Sequence, residues 1–317
     1  MHWFDDPGVT RRLPRLYRAY AWYSRRAYDR SKEHVRGGSF LLSALIVVTR
    51  TFRLTSEAAV QVGDLTVYLD LCDHHMLRVF GEIRPSHESR IMESCLSPGD
   101  TFLDMGANHG SFSLIAAKAV GPSGVVAAFE PQPRLASLIR RSFDANGFSQ
   151  ATVREIACSD REGVAEFYVP RHDSGSASLS SSYVAQLWHQ HIQVRTARFD
   201  EAMDWKRCPG TVFMKLDIEG SELAFFSGAE AMLVNRQPII LFEINPAAAG
   251  ASGYSVEELL DRLYWLGYER FAEIDQYPAT LSRHEVNCTL QRNLVALPGR
   301  QPAEIRKSEI RNLKSKI

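Results

Sequence analysis

The stretch at residues 101–114, TFLDMGANHGSFSL, constrains the fold of this chain more than any other. An apolar run ends at Asp104, and a Gly-x-Asn-x-Gly turn and the start of a helix follow it. Gly106 and Gly110 permit the tight turn and the close backbone approach that a side chain would block. A strand, a turn and a helix in this arrangement are typical of a small-molecule cofactor site.

The residues of the turn discriminate among three classes of cofactor. A phosphate-binding P-loop needs a lysine at the helix start, but Ser111 and Phe112 follow Gly110, so that class is excluded. A dinucleotide fingerprint needs G-x-G-x-x-G, and the carboxylate of Asp104 would repel a pyrophosphate. Asp104 suits a ligand with a cationic amine and no phosphate, which describes S-adenosylmethionine. Dinucleotide binding and a strand end without any ligand remain the weaker alternatives.

A second acidic residue supports the same cofactor. Glu130 closes the apolar run at residues 124–130, about 20 residues after the turn. A carboxylate at the end of the second strand can accept hydrogen bonds from both ribose hydroxyls of a nucleoside. The sequence therefore predicts two acidic anchors for S-adenosylmethionine.

Several segments between residues 86 and 246 resemble the FkbM family of S-adenosylmethionine-dependent methyltransferases. In order they are LDMGANHGSFSL, FEPQPRLASLIRRSFDANG, IACSDREG, GSASLSSS, VRTARFDE, MKLDIEGSEL and LFEINP, of which KLDIEGSE is the most specific. Known members chiefly methylate hydroxyl oxygens of secondary metabolites and sugars, so the resemblance implies that activity. The resemblance also implies which residues bind the cofactor, namely Asp104, Gly106, Asn108, Gly110, Glu130 and Asp160. We predict that the neighbouring residues Ala107, Ser111, Phe112, Pro131 and Ser159, together with Asp217, complete the cofactor site.

Alternating strand and helix patterns predict a doubly wound, mostly parallel, seven-stranded α/β sheet, the Rossmann-like fold of class I methyltransferases. Strands are expected near 101–105, 125–129, 151–156, 212–217, 238–243, 268–273 and 292–297, and helices near 111–120, 133–146, 221–234 and 255–266. A hairpin at 54–71 and a helix at 86–95 precede this sheet. Residues 163–200 interrupt it as an inserted hairpin with a mobile loop, where His172, Ser174, Ser176 and Ser178 either line the substrate site or belong to a solvated linker.

We divide the chain into a basic helical extension with the hairpin (1–85), a methyltransferase domain (86–298) and a basic tail (299–317). The first 36 residues interleave arginines with aromatic residues, as in a basic amphipathic helix. This helix either packs its aromatic stripe on the catalytic domain or touches an anionic surface, such as membrane headgroups or an acidic carrier protein. The apolar run at 39–48 is shorter than the about 20 residues of a spanning helix, so no transmembrane segment is expected.

Composition limits the partners and the compartment. Equal totals of 37 basic and 37 acidic residues argue against a nucleic-acid-binding protein. The five cysteines are far apart and contain no C-x-x-C pair, which fits a cytoplasmic protein. We expect Cys158, beside the adenine site, to be a small buried hydrophobic residue.

Ionisable residues gather at the ends of two further predicted strands. In MKLDIE, strand alternation places Lys215, Asp217 and Glu219 on one face, and the next strand presents Glu243 and Asn245. Methylation of a hydroxyl requires a base. We expect Asp217 or Glu219 to be this base, with Lys215 orienting it and Glu243 positioning the acceptor. A purely structural ion-pair network is the alternative.

A metal is a second possibility at these strand ends. Asp217, Glu219, Glu243 and Asn245 offer the oxygen ligands that Mg²⁺ prefers, although the spacing does not demand an ion. The histidines, among them His74, His75, His189 and His191, lack zinc-ligand spacing. His109, inside the turn, is expected to contact the cofactor or to be a second candidate base.

The sequence thus predicts a cytoplasmic S-adenosylmethionine-dependent O-methyltransferase that acts on a hydroxyl of a sugar or secondary metabolite, free or carried by a protein. Two alternatives remain open. One is an N-methyltransferase. The other is a non-catalytic S-adenosylmethionine-binding module that is recruited through the basic N-terminus.

Overall fold

A computed structural model describes residues 57–299, except residues 74, 84 and 172. The predictions for the basic N-terminal helix, for the apolar run at 39–48 and for the tail lie outside the described residues. Within the described part of the chain, no helix combines the length and the apolar character needed to cross a membrane.

The elements alternate along most of the chain. The strands are β1 (Glu57–Val62), β2 (Leu65–Asp70), β3 (Thr101–Met105), β4 (Val125–Phe129), β5 (Ala151–Arg154), β6 (Ala157–Ser159), β7 (Gly163–Pro170), β8 (His189–Arg198), β9 (Val212–Leu216), β10 (Ile239–Ile244), β11 (Tyr268–Glu273) and β12 (Arg292–Pro298). The helices are α1 (Met76–Ile83), α2 (His87–Cys95), α3 (Ser111–Val120), α4 (Pro133–Ala145), α5 (Ser181–Val184), α6 (Phe199–Ala202), α7 (Glu222–Gly228), α8 (Glu230–Arg236), α9 (Pro246–Ala251) and α10 (Val256–Trp265).

The predicted seven-stranded sheet is confirmed. Its strand order is β11-β12-β10-β9-β3-β4-β5. β12 runs antiparallel to β10 and to β11, and the pairs on the other side of β10 are parallel. This is the doubly wound, Rossmann-like arrangement that was predicted from the alternating pattern.

Strand alternation builds one apolar core on each face of the sheet. Phe102 and Val126 face one cluster of buried apolar side chains, whereas Leu103 and Met214 face the other. Neighbours in a strand point to opposite faces, so both faces of β3 are covered. β4 and β9 flank β3 on opposite sides, which makes the carboxyl end of β3 the point where the winding direction switches. Ligands bind at such a point in open α/β sheets.

The N-terminal hairpin is also confirmed, and it packs on the main domain. β1 and β2 pair antiparallel around Gly63 and Asp64. The backbone N–H of Tyr68 donates to Ser142 Oγ of α4 at 2.9 Å, and that of Thr66 donates to Asn146 Oδ1 at 2.9 Å. The predicted helix after the hairpin is α2, capped by Ser86. Helix α1 was not predicted from the sequence.

Three further features differ from the prediction. β9 ends at Leu216, before Asp217. The helix expected at 221–234 is divided into α7 and α8 at Ala229. The inserted hairpin of β7 and β8 gains a third strand, β6, that pairs parallel with β8. The chain therefore leaves the main sheet soon after β5 and enters a small separate sheet.

Candidate functional site

The turn between β3 and α3 brings two strand ends into contact. Gly106, Asn108 and Gly110 have φ angles of +79°, +52° and +77°. The N–H groups of Gly106 and Ala107 donate to the Phe129 carbonyl oxygen at 3.0 and 3.1 Å. A Cβ on Gly106 would lie 2.0 Å from the Asp217 carbonyl oxygen. Glycine is required there, because the turn rests directly on the segment after β9.

Glu130 lies at the end of β4 and faces this turn. Its side chain is buried, and its two oxygens accept hydrogen bonds from the backbone N–H groups of Asn108 at 2.8 Å and Gln132 at 2.9 Å. Burial raises the pKa of Glu130 to about 7. Each carboxylate oxygen has a second acceptor site. Glu130 can therefore fix the turn and still accept a hydrogen bond from a ligand.

A cleft of about 780 Å³, including the part open to solvent, lies between the turn and Glu130. Predicted cofactor residues that line it are Gly106, Ala107, Asn108, Ser111, Phe112, Glu130, Pro131 and Asp217. Apolar walls are added by Phe129, Ile156, Ala157, Cys158 and Phe167. We name this space the cofactor cleft.

Asp104, the first predicted anchor, is buried directly before the lining residues Met105 and Gly106 and does not itself line the cofactor cleft. Its Oδ2 accepts a hydrogen bond from Ser113 Oγ at 2.6 Å, whereas its Oδ1 is buried without a hydrogen-bond partner among the described residues. Burial raises the pKa of Asp104. One carboxylate oxygen thus remains free beneath the turn for a donor or a cation.

Three other predicted cofactor residues do not line this cleft. Gly110 packs against Ile139 of α4, where a Cβ would meet a side-chain carbon at 3.0 Å. Ser159 closes β6, and its carbonyl oxygen lies against Gly228 of α7. Asp160 pairs with Arg161 at 2.9 Å. The preceding residues of β6, Ala157 and Cys158, line the cleft instead. Cys158 is buried, as expected, and burial raises the pKa of its thiol.

The structure does not support a cofactor contact for His109. The ring is buried outside the cofactor cleft, with Nδ1 2.6 Å from Asn108 Oδ1 and Nε2 3.4 Å from the backbone N–H of Asp70. Burial lowers its pKa to about 4. The neutral imidazole thus links the turn to the hairpin.

The residues predicted for catalysis converge at the end of β9. Lys215 Nζ donates to Asp217 Oδ2 at 3.0 Å and lies 5.0 Å from the centre of the Phe112 ring. Burial opposes both charges, but the pairing outweighs it, so the pKa of Lys215 is raised and that of Asp217 is lowered. The side chain of Asp217 is 41% exposed and the pair is ionised at neutral pH.

Glu219 and Glu243 complete an acidic cluster with Asp217. One oxygen of each residue lies within 4.8 Å of the others. Burial and the neighbouring carboxylates raise the pKa of Glu219 to about 9 and that of Glu243 to about 7. Glu219 Oε2 also accepts a hydrogen bond from Asn245 Nδ2 at 3.2 Å.

This cluster is the set of potential metal ligands found in the described part of the chain. Hard cations such as Mg²⁺ accept carboxylate ligands at this spacing. However, the Lys215 ammonium already neutralises Asp217, and Glu219 relieves the remaining repulsion by holding a proton at neutral pH. The chain itself thus offsets part of the negative charge of this cluster.

A second cleft opens on the far side of Lys215. It shares Glu82, Phe112, Lys215 and Asp217 with the cofactor cleft, and further polar lining residues are Arg78, Ser86, Glu88, Glu243 and Asn293. Its volume is about 1,020 Å³, including the part open to solvent. We name it the acceptor cleft. The shared residues form the boundary between the two spaces.

The inserted segment covers the cofactor cleft. Ser174 lines it and accepts a hydrogen bond from Asn108 Nδ2 at 2.8 Å. Ser178 is fully buried and donates to the Glu219 carbonyl oxygen at 2.6 Å. Ser176 does not line the cleft, and His172 lies outside the described residues. The interpretation of this tract as a solvated linker is therefore wrong at Ser174 and Ser178.

Sequence reasoning missed two residues of the site. His75 and Glu82 come from the segment before α1 and from α1 itself, and both line the cofactor cleft. Glu82 accepts a hydrogen bond from Ser111 Oγ at the start of α3. The signal available in the sequence was the apolar spacing of Met76 and Val79, which are both buried in α1.

A family model described as "Methyltransferase FkbM domain" matches residues 104–270, which is more than half of the chain. A search of curated proteins gives no match. Among solved structures, the methyltransferase FkbM from Methylobacillus flagellatus KT is 16% identical, with a TM-score of 0.39 and coverage of 82% of this chain and 60% of that one. This chain thus spans less than two thirds of that protein.

Two other solved methyltransferases show a similar degree of likeness. Precorrin-6y C5,15-methyltransferase from Geobacter metallireducens GS-15 is 14% identical, with a TM-score of 0.36 over 67% of this chain and 86% of that one. The S-adenosylmethionine-dependent O-methyltransferase from Thermotoga maritima is 12% identical, with a TM-score of 0.37 over 81% and 83%. These overlaps are too small to support an inference about the substrate.

Proposed function

Since the chain belongs to the FkbM methyltransferase family and is thus an S-adenosylmethionine-dependent methyltransferase, we propose that its acceptor is a hydroxyl group of a sugar or secondary metabolite. One observation carries the proposal. The cofactor cleft continues into an acceptor cleft lined by charged and amide side chains, with Lys215 and Asp217 at the boundary. Polar walls of this kind suit a small molecule with several hydroxyl groups.

The cofactor cleft fits S-adenosylmethionine in its chemistry. Glu130 would accept hydrogen bonds from the ribose hydroxyls, and the apolar wall of Phe129, Ile156 and Ala157 would take the adenine. The Oδ1 of Asp104 is buried beneath the turn without a hydrogen-bond partner among the described residues. When bound, S-adenosylmethionine supplies an electrophilic methyl carbon on a sulfonium.

The acidic cluster would hold the acceptor. Asp217 is ionised and can accept a hydrogen bond from an acceptor hydroxyl, while Lys215 fixes its orientation. Glu219 holds its proton at neutral pH, which makes it a donor rather than the base that the sequence suggested. Glu243 lines the acceptor cleft and positions a more distant hydroxyl. Most of the rate gain would come from aligning the acceptor oxygen with the carbon–sulfur bond.

The experiment is an activity screen with S-adenosylmethionine and a panel of methyl glycosides, polyhydroxylated natural products and matched amines. Mass spectrometry reports the product, and calorimetry reports cofactor binding. We expect a mass gain of one methylene unit in hydroxylated compounds and none in their amine counterparts. Methylation of the amines alone would establish an N-methyltransferase instead. Cofactor binding without any product would leave only a binding module.

Two further arms of the screen address the partners. A chelator is expected to leave turnover unchanged, because the chain balances its own charges at Asp217. Loss of turnover that added Mg²⁺ restores would place a metal at the acidic cluster. Deletion of residues 1–50 is expected to leave turnover on a free acceptor intact, whereas loss restricted to a carrier-bound acceptor would assign the basic stretch to the carrier.

A further inference from the structure

The loop between β2 and α1 places an imidazole in the cofactor cleft, next to a carboxylate that lines both clefts. His75 lines the cofactor cleft beside Lys215 and Asp217. Its Nε2 lies 3.7 Å from Glu82 Oε1, beyond hydrogen-bond distance, and Glu82 lines both clefts. His75 does not itself line the acceptor cleft, so its Nε2 approaches that space beside Glu82, which lines both clefts.

The imidazole is held by a dedicated set of contacts. Asp73 Oδ1 accepts hydrogen bonds from the backbone N–H groups of His75 at 3.0 Å and Ser174 at 3.1 Å, which fastens the loop to the inserted segment. The ring stacks on His109 with 6.0 Å between centroids and 3° between planes. A Cβ on Gly175 would lie 2.2 Å from His75 Nδ1. The glycine thus leaves just enough room for the ring.

Carboxylates flank both nitrogens of this ring. Asp173 Oδ1 lies 4.0 Å from Nδ1, which is buried without a hydrogen-bond partner among the described residues, and Glu82 faces Nε2. Each nitrogen of the ring thus has a carboxylate oxygen within 4.0 Å. In structures without substrate, catalytic hydrogen bonds are often longer than in the reacting complex.

The other ionisable groups at the site are poorer candidates for proton removal. Asp217 is held ionised by Lys215 and is a weak base, and Glu219 already carries a proton at neutral pH. Glu243 lines the acceptor cleft but not the cofactor cleft. His109 is buried against the hairpin. Glu82 lines both clefts, but its Oε2 already accepts a hydrogen bond from Ser111 Oγ. His75 is left as the group that lines the cofactor cleft and keeps its Nε2 beyond hydrogen-bond distance of Glu82.

We propose that His75 is the general base for O-methylation, with Asp173 and Glu82 flanking its two ring nitrogens; this rests on the function proposed above. The acceptor oxygen forms a bond to the methyl carbon as the carbon–sulfur bond breaks and its electron pair stays on sulfur. The hydroxyl proton passes to His75 Nε2. The products are a methyl ether, a neutral thioether and an imidazolium cation. His75 and Glu82 precede the family-matched residues 104–270, so the base comes from this chain's own extension.

The test compares three variants on every panel hydroxyl compound that the wild type methylates. His75→Gln is expected to lower kcat about 100-fold, the low end of a general-base contribution. His75→Ala should behave likewise, and added imidazole should restore at least a tenth of the wild-type rate. The control, His191→Gln, changes an exposed histidine of the inserted hairpin and should retain full turnover. Because His75 lines the cofactor cleft, kcat is measured at saturating S-adenosylmethionine, and urea unfolding verifies the fold of all three variants.

The outcomes separate the two proposals. If His75→Gln keeps more than a tenth of the wild-type kcat, or if imidazole fails to restore His75→Ala, then the base is another group while the O-methyltransferase proposal stands. If the wild type methylates no hydroxyl compound, both proposals fall together.

A structural consequence gives an independent check. The backbone of Gly175 does not have a positive φ, so His75 is the main obstacle to a side chain there. Gly175→Ala should displace the imidazole and lower kcat about 10-fold at saturating S-adenosylmethionine. A fully active Gly175→Ala enzyme would contradict the placement of the base.

Discussion

The two clefts of this molecule are built in different ways. The predicted cofactor contacts come mainly from two neighbouring strand ends. The turn after β3 and Glu130 after β4 are joined by a hydrogen bond of 2.8 Å. The acceptor side is assembled from α1, the end of β9, the end of β10 and β12, which contribute Glu82, Asp217, Glu243 and Asn293. A local sequence motif forms the binding site for the cofactor. Contacts between segments that are distant in sequence form the binding site for the acceptor.

We expect the largest effect from Gly106→Ala, because a Cβ there would overlap the Asp217 carbonyl oxygen at 2.0 Å and φ is +79°. Binding of S-adenosylmethionine should fall below detection by calorimetry. The free energy of unfolding, measured in urea, should drop by several kcal/mol. The control is Gly147→Ala, where φ is +70° but nothing lies within 4 Å, so the cost should be about 1–2 kcal/mol. Equal losses in the two variants would show that the turn does not rest on Asp217.

Asp217→Asn should lower turnover far more than it lowers cofactor binding. The amide keeps the shape of the side chain but leaves the Lys215 ammonium without its partner at 3.0 Å. Removing one member of a buried pair costs about 3–5 kcal/mol, and the partial exposure of Asp217 reduces this. We expect kcat to fall about 100-fold and the affinity for S-adenosylmethionine to change less than about 3-fold.

The matched control for Asp217 is Asp204→Asn, which breaks an exposed pair with Arg207 and should leave both quantities unchanged. If Asp217→Asn abolishes cofactor binding and spares turnover at saturation, the division of roles between the clefts is reversed.

Glu130→Gln should weaken cofactor binding and leave turnover nearly unchanged, the opposite of the result expected for Asp217→Asn. A neutral side chain loses the charge-assisted hydrogen bonds to the ribose, each worth about 1.5–3 kcal/mol. The Kd for S-adenosylmethionine should therefore rise at least about 10-fold in calorimetry, while kcat at saturating cofactor stays near the wild-type value. Glu155→Gln, at an exposed pair with Arg140, serves as the control. An unchanged Kd would remove Glu130 from the cofactor site.

The smallest expected effect is on the pH dependence of the free energy of unfolding. In the folded state the pKa of Glu219 is about 9, compared with an ordinary value of 4.5. The folded protein therefore holds a proton that the unfolded chain releases, so stability is full below pH 4.5 and declines as the pH rises toward 9. Glu130 and Glu243, each with a pKa of about 7, add to the decline.

Glu219→Gln should flatten this decline and raise the free energy of unfolding at pH 9 by at least about 1 kcal/mol. Urea unfolding at pH 5, 7 and 9 measures it, with the exposed Glu162→Gln as control. Greater stability of the wild type at pH 9 than at pH 5 would contradict the raised pKa values.

The same contrast explains how far the sequence could predict the structure. The turn and Glu130 follow from local rules on strands, glycines and spacing, so the sheet and this part of the cofactor cleft could be predicted. Lys215, Asp217 and Glu219 do converge, but strand alternation was the wrong reason. β9 ends at Leu216, and Glu219 reaches the cluster through a left-handed backbone with φ of +46°.

The residues that were missed lack a local signature. His75 and Glu82 join the site because the hairpin docks on α4 and α1 packs beside α3, and both contacts link segments far apart in sequence. Ser159 and Asp160 were misplaced because the chain leaves the main sheet at β6 to pair with β8. Pairing between distant strands is not encoded in a short motif.

The most direct test of the account is a crystal structure of the protein with S-adenosylhomocysteine. Both ribose hydroxyls should lie within about 3.2 Å of the Glu130 carboxylate. The sulfur should face Lys215 and Asp217, toward the acceptor cleft. A nucleoside bound away from the turn after β3, or a cleft that stays closed to it, would contradict the account.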